Sequence, residues 1–145
     1  MVMPRHAVLP LVVFIALVVS AVLTALAASG HFPPEHRASS LRSGAGRAIL
    51  FGACVVSALS LVVGAATAWH VLPWPAAVIG AGAAMLAAPL LLRPLPDAFV
   101  NGPTALLAFA GISALLALAL VSLQYGFADH NGDGRPTWIE IRLGP

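Results

Sequence analysis

Hydrophobic positions along this chain do not alternate with polar ones at either the helical or the strand period. They run on without interruption in four blocks, Ala7–Ala28, Ala48–Val71, Ala76–Leu92 and Thr104–Tyr125, and no block contains a charged residue. A helix on the surface of a soluble domain keeps a polar face, and these segments have none. About 18 or more continuous apolar residues are enough for a helix to cross the hydrocarbon core. The pattern therefore predicts an all-α integral membrane four-helix bundle with spans over 7–28, 48–71, 76–92 and 104–125. A short polar C-terminal tail, 127–145, follows. Lipid is the first expected partner.

The breaks between blocks carry the expected stop signals. Ser29-Gly30 and Pro33-Pro34 end the first helix, and a Ser/Gly-rich loop covers Gly30–Gly46. Pro73-Trp74-Pro75 forces a tight reversal, because proline ends one helix and suits the first turn of the next. Helices 2 and 3 are thus expected to form an antiparallel hairpin. Small residues at four-residue spacing, Ser60 and Gly64 on one helix and Gly80, Ala84 and Ala88 on the other, would be its seam. Close backbone approach must replace the hydrophobic drive that lipid does not provide.

The first block also imitates a secretory signal. Arg5 precedes it, and Ala25-Leu26-Ala27-Ala28-Ser29 resembles a small-residue cleavage site. At about 20 residues the block is longer than the roughly 7–15 of a signal core, which predicts a retained helix.

Composition agrees with the pattern. Hydrophobic residues make up 60% of the chain and charged residues 8%. A net charge of +2 from scattered arginines gives no nucleic-acid surface. Arg37, Arg42, Arg47 and Arg93 fall on one side of the predicted topology. Arg5, Arg135 and Arg142 fall on the other. By the positive-inside rule both termini lie outside, in a bacterial inner or cell membrane. Trp69, Trp74, Tyr125 and Phe127 would form an aromatic belt at that outer surface. The lone Cys54 reads as a small buried filler.

Chemistry concentrates in the tail. Asp129, Asn131 and Asp133 alternate, Gly134 follows, Arg135 and Thr137 come next, and Glu140 closes a run of twelve. Calcium takes six to eight oxygens, so alternate oxygen-bearing side chains must point inward from a curled backbone. Gly134 permits the turn, Arg135 offers its carbonyl, and Thr137 suits a bridging water. Asp129–Glu140 resembles an EF-hand-type calcium loop, nearest to the single loops of thrombospondin type 3 or dockerin style. The resemblance covers 12 of 145 residues and implies calcium as a cofactor. It departs from paired EF-hands at Pro136, which lacks the amide that bridges two loops. Only five residues follow Glu140, too few for an exiting helix. The expected affinity is that of extracellular modules, about 10⁻⁴–10⁻³ M.

Other chemistry is sparse. The spans hold no ionisable relay for transport, and no nucleophile stands beside a base, so no enzyme and no small-molecule substrate is expected. The expectation is an accessory or scaffolding subunit held by other membrane-protein subunits. An oligomeric transporter or channel lined by Ser57, Ser60 and Thr67 is the alternative. A b-type haem carrier using His6 and His70 is a weaker one.

Overall fold

The computed structural model describes residues 5–29, 43–94, 96, 100 and 102–130. It is all-helical, with α1 at Arg5–Ser29, α2 at Gly44–Val71, α3 at Trp74–Leu92 and α4 at Pro103–His130. All four are long and apolar enough to cross a membrane.

Local chemistry sets the helix ends. Ser43 caps α2, its hydroxyl accepting a hydrogen bond from the Gly46 amide at 3.0 Å. That cap draws Gly44–Gly46 into the helix, although glycine disfavours helix interiors. The predicted loop is therefore shorter at this end. Leu72 and Pro73 alone join α2 to α3. The Ala76 and Ala77 amides both donate to the Pro73 carbonyl, and Pro75 occupies the first turn, where its missing amide costs nothing. Pro10 lies inside α1, in its second turn, because that helix starts at Arg5. α4 also runs past Tyr125 to His130, so the tail's first residues are helical.

α1, α2 and α4 pack mutually as a three-helix core, and α3 leans on α1 from outside. α1 is the shared element. Half of its spanning segment is buried, against 28% for α2, 17% for α3 and 33% for α4. Phe14 and Val18 of α1 meet Ala68 of α2, Leu72 of the turn, Ala84 of α3 and Leu120 of α4. At the other pole Ala27 and Ala28 pack with Leu50 and Ala53 of α2 and Leu106 and Ala110 of α4. The signal-like Ala-rich end of α1 is thus core material in this fold.

The expected α2–α3 seam is corrected here. The two helices make almost no contact after their turn, and their small-residue stripes serve other neighbours. Gly64 lies against Leu17 of α1 and Leu120 of α4. Gly80 lies against Ile15 and Leu11 of α1. The cause is steric. Absence of a Cβ lets a bulky partner approach, and α1 carries the branched side chains that fill both notches. Periodicity found the stripes but not their partners.

The glycines separate by environment, and this sets a test. A Cβ on Gly64 would run into Leu17, which is fully buried and has no room to swing away. A Cβ on Gly80 would sit 3.0 Å from Cγ1 and 3.1 Å from Cδ1 of the half-buried Ile15, while Gly82 faces open space. Thermal unfolding in detergent should rank the alanine variants accordingly. Gly82→Ala keeps or raises stability, since alanine favours helix by up to about 1 kcal/mol. Gly80→Ala changes little, and Gly64→Ala costs about 1–3 kcal/mol of overpacking. Equal melting of Gly64→Ala and Gly82→Ala would contradict the packing.

Candidate functional site

The polar side chains of the spans gather at the junction of α1, α2 and α4. Ser20, Thr24, Ser57, Ser60, Thr67 and Ser113 are all buried. A hydroxyl in an apolar interior needs a hydrogen-bond partner. Four of these six satisfy the need on their own helix. Thr24 donates to the Ser20 carbonyl at 3.0 Å, Ser60 to Val56 at 2.8 Å, Thr67 to Val63 at 2.9 Å and Ser113 to Phe109 at 2.9 Å. This is the usual serine and threonine habit of bonding back one turn.

Two hydroxyls reach across instead. Ser57 of α2 donates to the Thr24 hydroxyl of α1 at 3.0 Å. Ser20 of α1 donates to the Phe109 carbonyl of α4 at 2.8 Å. The Phe109 carbonyl thereby accepts from both Ser20 and Ser113. A continuous seam runs Ser57, Thr24, Ser20, Phe109, linking three helices in one register. Nothing in the sequence separates Ser20 and Ser57 from their self-bonding neighbours, because that choice depends on which helix face meets which.

The seam bears on the channel alternative. Ser57, Ser60 and Thr67 do share one face of α2, as their spacing suggests. That face points into the three-helix core, and each of the three hydroxyls already donates a hydrogen bond. Ser60 and Thr67 bond back to their own helix, and Ser57 borders a hollow between α1 and α2.

Cys54 differs from expectation. It is half-buried and lines a hollow of about 230 Å³ between α1 and α2, together with Thr24, Ser57 and Ala58. His70 is exposed at the end of α2. The His6 side chain and all of His31 and His36 lie outside the described residues. Among the described residues, no three His, Cys, Asp or Glu side chains come together. Of the proposed calcium ligands, Asp129 has a described backbone, in the last turn of α4. Asn131, Asp133, Arg135, Thr137 and Glu140 lie outside the described residues. The aromatics Trp69, Trp74 and Tyr125 are exposed at the pole where α2, α3 and α4 meet the expected outer surface.

The seam sorts the serines by partner, and alanine variants should sort the same way. Ser57→Ala and Ser20→Ala each remove a bond between helices, worth about 0.6 kcal/mol on average and up to about 1.7 in membrane bundles. Ser60→Ala removes only a bond within its own helix and should be near neutral. Unfolding in detergent, or a steric-trap measurement in bilayers, reads the difference. A cost for Ser60→Ala equal to that for Ser57→Ala would contradict the seam.

Comparison of the chain with protein-family models, with curated proteins and with solved structures gave no match.

Proposed function

We propose that this chain is a non-catalytic accessory or scaffolding subunit of a larger membrane assembly, with a calcium-binding tail on the outer face. The observation that carries the reading is the hydroxyl seam. Among the described residues, two of the buried hydroxyls tie helices together and the others bond back to their own helix, so all six are engaged within the bundle. What the molecule offers instead is outward-facing apolar surface on α2, α3 and α4, including Leu59, Val62, Ile79, Leu86, Leu115 and Leu118. Such faces accept either lipid or the helices of neighbouring subunits.

The calcium part rests on the tail's residue pattern. α4 continues as a helix through Asp129, which is how an entering helix delivers the first ligand of a calcium loop. Asp129, Asn131, Asp133 and Glu140 would supply side-chain oxygens, Arg135 its carbonyl, and Thr137 a water-mediated contact. A single unpaired loop with this charge count suits a structural role outside the cell, where calcium is abundant. Trp138 beside the ligands would anchor the closed tail at the membrane surface.

Two measurements test the two halves. Native mass spectrometry from mild detergent should find the chain with a stoichiometric partner. A lone chain that moves solute into liposomes would contradict the subunit reading. Terbium added to the purified protein should luminesce through Trp138, calcium should quench that signal by competition, and Asp133→Ala should abolish it. Neither luminescence nor calorimetric heat at millimolar metal would remove the calcium site.

A further inference from the structure

We propose that the wedge between α2 and α3 is a binding site for one acyl chain of a phospholipid, whose head group lies over Trp69 and Trp74. The wedge exists because α3 packs on α1 and not on α2. Beneath the tryptophans α1 forms its floor and α2 and α3 its walls, and deeper the groove continues between α1 and α2.

Two hollows follow one another along the face of α2 that borders this wedge, the outer one walled by α3 and the inner one lined by α1 and α2. The outer one, about 170 Å³, has Phe14 at its floor, Ala65 and Ala77 on its walls and Trp69 and Trp74 at its lip. The inner one is the hollow of about 230 Å³ that reaches Cys54 by way of Leu61 and Ala58. On α2 the residues Cys54, Ala58, Leu61, Ala65 and Trp69 recur every three or four positions, so they share one face. From Trp69 to Cys54 that face is roughly 22 Å long at 1.5 Å per residue.

Size decides the occupant. An apolar cavity of about 150 Å³ takes up benzene, so each hollow accommodates a run of methylenes. A helix about 10–12 Å across with its side chains fits neither. Left unfilled, the walls would forgo their dispersion contacts, and no water is available in the hydrocarbon to replace them. A long fatty chain matches both the width and the length.

The mouth matches the other end of a phospholipid. Trp69 and Trp74 are 77% and 67% exposed and sit at the turn between helices, where indole rings favour the head-group layer. His70 lies between them in sequence, in the last turn of α2. The N-terminus of α3 opens at Trp74 with no side-chain cap. The tryptophans at the mouth and the apolar hollows below them thus match head group and tail in the right order.

Cys54, the only cysteine of the chain, is a natural probe at the deep end. The purified full-length protein in detergent would be alkylated with N-ethylmaleimide while phosphatidylglycerol is titrated in. Dioleoyl phosphatidylglycerol should slow the labelling at least threefold and saturate at one lipid per chain. The dioctanoyl form has the same head group but tails too short to reach Cys54, and it should not slow the reaction. Unchanged labelling, or equal slowing by both lipids, would overturn the proposal. Ala65→Phe blocks the wedge between the hollows and should abolish the protection by the dioleoyl lipid. Protection that survives in a folded Ala65→Phe protein would also overturn it. The chain-length comparison on the unaltered protein stands whether or not that variant folds.

Discussion

Close packing of α1 against the three other helices is the contact on which the rest of this bundle depends. Lipid tails are as apolar as leucine, so burial alone gives helices little reason to associate. What remains is dispersion between well-fitted surfaces and the few hydrogen bonds that cross between helices. α1 supplies both. Its bulky residues Leu11, Ile15 and Leu17 enter notches made by Gly64 and Gly80. Its Ser20 and Thr24 tie it to α4 and α2. α2 and α4 also meet each other, whereas α3 is held through α1.

Function follows from where the polar groups went. In a membrane protein, polar side chains that face a cavity mark a pathway, and those that face each other mark a joint. Ser20, Thr24 and Ser57 belong to the second kind, while Ser60, Thr67 and Ser113 bond back to their own helices. The same arrangement leaves α3 splayed from α2, and the splay opens a three-sided wedge beneath a pair of tryptophans.

The span count and the helical class were legible from the hydrophobic blocks, because uninterrupted apolar length is a direct consequence of bilayer thickness. So were the turn at Pro73 and the small-residue stripes. The partner of each stripe was not. Gly80, Ala84 and Ala88 announce that something packs closely, but the notch alone does not say whether Ile15 or Ser60 fills it. Chain proximity favoured α2, and side-chain volume favoured α1. The serines posed the same problem. Ser20 and Ser60 look alike in sequence, and only the facing of the helices makes one a bridge and the other a self-bonded residue. The calcium pattern is the reverse case, since its spacing is explicit in the tail while the ligands from Asn131 onward lie outside the described residues.

Disulfide crosslinking in native membranes tests the central placement of α1 most directly. In a Cys54→Ala background, paired cysteines at Ile15 and Gly80 should crosslink rapidly under copper–phenanthroline, because those positions adjoin across α1 and α3. Cysteines at Ser60 and Ala84, which a tight α2–α3 hairpin would bring level, should stay reduced. Efficient crosslinking of Ser60 to Ala84, with none between Ile15 and Gly80, would contradict a bundle organised around α1.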